Sequence, residues 1–133
     1  MKILMHALAF LFLTASVGSA KDLESEFGAV EFEKSCASCH GFDGKGKGYM
    51  ADKLKQSPAD LTTLSERNNG FFPFTEIYRT IEGTARVGVH GSREMPDWGE
   101  EYRKEAQKYG VDERVYTRGI IMELILHIYS LQE

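Results

Sequence analysis

The clearest hydrophobic pattern lies towards the end of the chain, where Val115, Ile120, Ile121, Leu124, Ile125, Ile128 and Leu131 recur at spacings of three and four. That period predicts an amphipathic helix over 112–131 with Asp112 as its N-cap, weakened inside by Gly119 by up to about 1 kcal/mol relative to alanine. Ile77, Tyr78 and Ile81 form a second apolar stripe, predicting a helix from Pro73 to Glu82 with the proline tolerated in the first turn. A third helix is expected from Gly99 to Tyr109, stopped by Gly110. Upstream, Phe27, Ala29, Val30 and Phe32 fall among charged residues on a segment of helical length, and Gly28 is small enough for another backbone to pass close by. No segment alternates with period two for long, so the chain reads as all-α with long loops.

One apolar run stands apart. Lys2 precedes an apolar stretch from Ile3 to about Leu13, and Gly18-Ser19-Ala20 offers small residues for cleavage. Residues 1–20 are therefore expected to be an export signal cleaved near Ala20, leaving one domain over 21–133 and no membrane span. A retained anchor is the weaker alternative, because a bilayer-spanning helix needs about 20 apolar residues. The compartment implied is the periplasm. A length of 133 residues suits one domain, and 42% hydrophobic with 27% charged residues is globular composition. With 16 Lys+Arg against 20 Asp+Glu the net charge is -4, which argues against nucleic acid or anionic lipid as a partner.

In an oxidising compartment the two cysteines require an explanation as a disulfide, a metal site or a cofactor attachment. They stand in Cys36-Ala37-Ser38-Cys39-His40, the CxxCH arrangement of covalent c-type haem. Cysteines three apart on a helical turn point to one side, where each can form a thioether with a haem vinyl group, and the adjacent histidine is then held against the iron. A thioredoxin-like redox pair would follow a strand, and nothing upstream of Cys36 reads as one. A structural zinc site needs four ligands, and no second cysteine pair exists. Gly41, Gly44, Gly46 and Gly48 follow within eight residues.

These features together resemble class I c-type cytochromes, in particular exported bacterial monohaem proteins, from about Glu24 to Leu131. The resemblance rests on Gly28 and Phe32 ahead of Cys36, on the CxxCH pentapeptide, and on the Leu126–Tyr129 pair in the last helix. It implies a cytochrome c fold in which the first and last helices cross and long loops wrap one covalent haem c. The attachment residues would be Cys36 and Cys39, and the axial ligands His40 and Met95. Met95 stands fifty-five residues after His40 in a loop following a helix, with Pro96 keeping it out of helical geometry. His90 is the rival ligand, while Met50 is too near His40 in sequence to reach the opposite haem face. Met122 reads as core filler, and His127 as a structural or surface residue.

Trp98 is expected to cover the haem edge or to donate its indole N–H there, or else to serve as plain core. The family commonly has Gly-Pro where this chain has Gly48-Tyr49, and the proline carbonyl there accepts a hydrogen bond from the proximal histidine. Tyr49, or a neighbour, is the expected substitute and a haem contact. Pro58-Ala59-Asp60-Leu61 resembles a haem-loop segment of bacterial relatives, or is an ordinary turn.

The function implied is one-electron transfer between a redox donor and acceptor, as a monomer or as a subunit of a complex, with no substrate turned over. A haem subunit of a periplasmic dehydrogenase or oxidase is the alternative. A haem enzyme or gas sensor would need an exchangeable sixth position, with His90 and Arg93 as polar candidates. Lys45, Lys47, Lys53 and Lys55 outnumber Asp43 and Asp52 and form a basic rim for an acidic partner, or a plain solvated face.

Overall fold

The computed structural model describes residues 26–85 and 95–133, so the expected export signal over 1–20 and both His90 and Arg93 lie outside the described residues. All regular structure among the described residues is helical: α1 (Glu26–Ser35), α2 (Ala37–His40), a 3-10 turn (Ala51–Lys53), α3 (Leu64–Arg67), α4 (Phe74–Glu82), α5 (Trp98–Tyr109) and α6 (Glu113–Ser130). None of these helices is long and apolar enough to cross a membrane.

Helix α6 is the axle of the fold. Its start is fixed by the Asp112 carboxylate, which accepts from the backbone N–H groups of Arg114 and Val115 at 3.0 Å each, the arrangement expected of an acidic N-cap. Ile120, Ile121, Leu124, Ile125 and Ile128 are buried along one stripe, whereas Val115 is exposed and lies outside it. Gly119 faces open space.

Helix α1 crosses α6 where Gly28 meets it. A β-carbon on Gly28 would strike the Glu123 carbonyl oxygen and come within 3.2 Å of the His127 β-carbon, so glycine is needed for the approach. One turn later the Phe32 ring packs on the buried His127 imidazole with centroids 4.9 Å apart. The buried side of α1 is Gly28, Glu31 and Phe32. Phe27 and Val30 are exposed, because they fall on the far side of the helix once Gly28 and Phe32 face α6. Met122 likewise turns outward from α6 and is not core filler.

Helix α5 begins at Trp98, one residue before the expected Gly99, because the Asp97 carboxylate accepts from Glu100 N–H at 3.0 Å and caps it there. Gly110 ends it with φ 68°. Tyr102 and Ala106 of α5 are buried in the core. In α4, Pro73 takes the cap position ahead of Phe74, and Ile77 and Ile81 turn inward while Tyr78 is half-buried. α1, α4, α5 and α6 thus enclose one core and leave the short α2 and the loops to form one flank.

Candidate cofactor cleft

Helix α2 continues almost directly from α1: Cys36 N–H bonds to the Phe32 carbonyl at 2.8 Å, and His40 N–H to the Cys36 carbonyl at 2.9 Å. This helical path carries Cys36, Cys39 and His40 onto the wall of a cleft of about 790 Å³. The facing elements contribute Ile77 and Ile81 from α4, Ile128 from α6, Pro58 and Ala59 from the loop, and Met95, Pro96 and Trp98 from the approach to α5. Both cysteines carry free thiols. Burial pushes the Cys36 thiol up to about 12, helped by the Glu31 carboxylate and by Cys39. It is therefore a neutral thiol at physiological pH, unlike the depressed thiolates of thioredoxin-type sites.

His40 points its Nδ1 at the Ala59 carbonyl, 3.0 Å away. A carbonyl only accepts, so Nδ1 carries the proton and Nε2 keeps its lone pair. Burial lowers the imidazole's pKa, partly offset by the Ala59 bond, and so favours the neutral ring that binds metals. The carbonyl is itself held: Asp60 accepts from Thr62 N–H at 2.9 Å and Thr62 Oγ1 at 2.7 Å, and Leu61 N–H bonds to the Gly44 carbonyl at 2.7 Å. Gln132 adds a bond from Nε2 to the Leu61 carbonyl at 2.7 Å and accepts from Ser65 N–H at 2.9 Å.

Tyr49 plays neither part expected of it. It is 79% exposed and borders a separate depression with Phe42 and Lys47. The chain turns away after Gly48, with Met50 N–H bonded to the Ser38 carbonyl at 2.8 Å. Gly48 itself presses on α2, where a β-carbon would strike the Ser38 carbonyl oxygen. The carbonyl facing His40 comes instead from Ala59, inside the Pro58–Leu61 segment that had read equally well as a plain turn.

Met95 is half-buried, packed against the core and on the cleft wall, while Met50 and Met122 are absent from that wall. Trp98 borders the cleft and stacks on Tyr102 with centroids 5.9 Å apart and planes at 27°. His127 is a buried residue against Phe32, away from the cleft lining. Sequence reasoning missed Glu31, a carboxylate 6% exposed in the core. Its partner Tyr102 lies 71 residues further on in α5, and nothing in the periodicity pairs them.

The cleft fits a haem on the chemistry of its walls. Its volume lies within the roughly 300–1,000 Å³ range of cofactor pockets, its lining is mostly apolar with Lys34 and Glu76 as the charged side chains, and two free thiols, a neutral imidazole and a thioether converge on it. An all-helical chain built this way around a CxxCH turn is a c-type cytochrome. Residues 25–110 match the family described as cytochrome c oxidase, cbb3-type, subunit III, and the chain belongs to that family. Its cofactor is accordingly a covalently bound haem c. No curated protein and no solved structure matches the chain.

Proposed function

We propose that the protein is a one-electron carrier of the periplasm, holding one haem c with His40 and Met95 as axial ligands. The observation that carries this reading is the convergence of Cys36, Cys39, His40 and Met95 on one apolar cleft. When bound, the haem supplies one-electron cycling between Fe(III) and Fe(II). Cys36 and Cys39 anchor it through thioethers, and His40 offers Nε2 while Ala59 fixes the ring. Met95 offers a soft, neutral sulfur that favours Fe(II) and raises the potential. Ile77, Ile81 and Ile128 keep water from the cleft.

The family description names an oxidase subunit, which favours a second reading in which the chain serves as the haem subunit of an oxidase complex. Both readings need an electron donor and an acceptor. Lys47, Lys53 and Lys55 are exposed, and Lys45 is bound to Glu133 at 2.6 Å; Lys47 and Lys53 are the steering charges this reading assigns for an acidic partner.

Methionine ligation to ferric haem gives a weak near-red charge-transfer band that imidazole or water ligation lacks. The oxidised protein is expected to show this band, Met95→Ala to lose it with a lower potential and ready binding of carbon monoxide, and His90→Ala to keep it. A silent Met95 change with loss of low-spin character in the His90 variant reverses the assignment. Rapid carbon monoxide binding by the wild type replaces the carrier with an open-site enzyme or sensor. Co-purification with an oxidase core from detergent extracts separates the subunit from the free shuttle.

A further inference from the structure

The cleft wall conceals a charge. Glu31 lies on the buried side of α1, 6% exposed, directly behind Ser35 and Cys36, which line the cleft. Its Oε1 accepts from Ser35 Oγ at 2.6 Å and from the Tyr102 hydroxyl at 2.9 Å, and its Oε2 faces the Lys34 ammonium at 3.3 Å. Three donors directed at one carboxyl group match the ionised form, which only accepts. Tyr102 is 2% exposed, and burial pushes its phenol far up, so it remains a donor at any ordinary pH. Tyr102 also stacks on Trp98, a cleft residue. The carboxylate is thus wired to the cleft from both α1 and α5.

The surrounding charges do not cancel it. Among the described residues Lys34 is the cation paired with it; the Lys34 side chain is 63% exposed against 8% for Glu31 and itself borders the cleft. Water screens the ammonium, while the carboxylate acts through protein of low dielectric. Tyr116 of α6 and Cys36 of α1 also feel Glu31 and are neutral at physiological pH, the Cys36 thiol being pushed up by burial first. Removing the carboxylate alone therefore takes from this corner a negative charge that water screens less than it screens the ammonium.

We propose that Glu31 is a potential-setting residue: its buried carboxylate, held in place by Tyr102 and Ser35, stabilises the oxidised haem in the cleft and lowers its reduction potential. The proposal rests on the cleft holding haem. Taking up one electron lowers the charge of the site by one, and a fixed negative charge nearby opposes that change. Glu31 therefore works against the Met95 thioether, and the two together set the working potential.

Equilibrium redox titration of the holoprotein at pH 7 tests this, with the near-red band recorded for each variant to verify that axial ligation is intact. Glu31→Gln keeps the shape and removes the charge. It is expected to shift the reduction equilibrium about tenfold towards Fe(II), which for one electron is 59 mV upward. Lys34→Met, at an exposed position, is expected to shift it severalfold the other way, because the cleft then loses a cation from its wall and the carboxylate loses its partner. The opposite signs matter, since loosened packing that admits water favours Fe(III) in any variant. An unchanged or lowered potential in Glu31→Gln, or a raised one in Lys34→Met, overturns the proposal. If Glu31→Gln fails to fold, Glu31→Met with Tyr102→Phe, which removes the charge and its buried donor together, takes its place with the same expected upward shift, and an unmoved or lowered potential there overturns the proposal. Wild type without covalent haem removes the haem reading itself, whereas haem-bearing variants with unmoved potentials remove only the role of Glu31.

Discussion

The Nδ1 of His40 lies 3.0 Å from the carbonyl oxygen of Ala59, nineteen residues further along the chain. A backbone carbonyl has no side-chain signature, so its position is set entirely by what holds the loop. Here the Asp60 turn, the Gly44 carbonyl, and Gln132 beyond α6 hold it, and Arg67 reaches back to the Asp60 carbonyl. The orientation of the candidate iron ligand thus depends on residues from four separate stretches of sequence.

Replacing Gln132 by leucine tests that dependence. The change strips partners from the Leu61 carbonyl and the Ser65 N–H, which lie in a partly buried setting, and is expected to cost on the order of 1–3 kcal/mol in chemical denaturation. A looser Ala59 carbonyl weakens the hold on the His40 N–H and makes the imidazole a poorer donor. The reduction potential is therefore expected to rise slightly. A stability loss without any change in potential would show that the clamp does not reach His40.

Covalent attachment is checked on the denatured protein. With both thioethers formed, wild type keeps its haem through denaturation, and its mass equals residues 21–133 plus one haem. The double change Cys36→Ala with Cys39→Ala is expected to lose the haem entirely, and either single change to retain it through one bond. Haem that washes out of denatured wild type contradicts attachment at this turn.

Much of this arrangement is legible in the sequence, for reasons that differ from residue to residue. Cys36, Cys39 and His40 are readable because their chemistry demands a fixed local spacing that a helical turn supplies. The stripe from Ile120 to Ile128 is readable because burial on one face of α6 imposes its period. Phe27 and Val30 are apolar yet exposed, since which side of α1 is buried depends on where Gly28 admits α6, a tertiary fact. Glu31 hides for the converse reason: a charged residue reads as surface unless its buried partners, here Tyr102 and Ser35, are known. Ala59 is invisible because its contribution is main chain.

Gly28 offers the sharpest packing test. Because a β-carbon there meets the Glu123 backbone rather than a flexible side chain, Gly28→Ala must push α1 off α6. Overpacking of this kind costs about 1–3 kcal/mol, measured as a lower denaturation midpoint of the holoprotein. Gly119→Ala is the control: its surroundings are open, it improves helix propensity, and it is expected to raise stability by up to about 1 kcal/mol. Equal effects at the two glycines would mean that the crossing is not held at Gly28.

Acid stability follows from Asp112. Its carboxyl is held below the usual carboxylate value of 3.8, first by the Val115 N–H, which desolvation partly opposes, and then by the N–H and charge of Arg114. Asp60 is lowered in the same sense, by the Thr62 hydroxyl and then the Thr62 N–H. For a carboxyl whose folded pKa lies below its unfolded one, the added stability is complete above the unfolded value and is lost as pH falls through the folded value. Melting temperatures measured by circular dichroism from pH 7 down to pH 3 are therefore expected to drop at the acid end. Asp112→Ala removes the cap and is expected to melt lower than wild type at pH 7, with the gap narrowing as the wild-type carboxylate becomes protonated. Asp112→Asn, which still accepts the two N–H bonds but carries no charge, is expected to lie between them and to show a shallower acid decline. A gap between wild type and Asp112→Ala that stays constant across the whole range would assign the stabilisation to the shape of the side chain rather than to its charge at the start of α6.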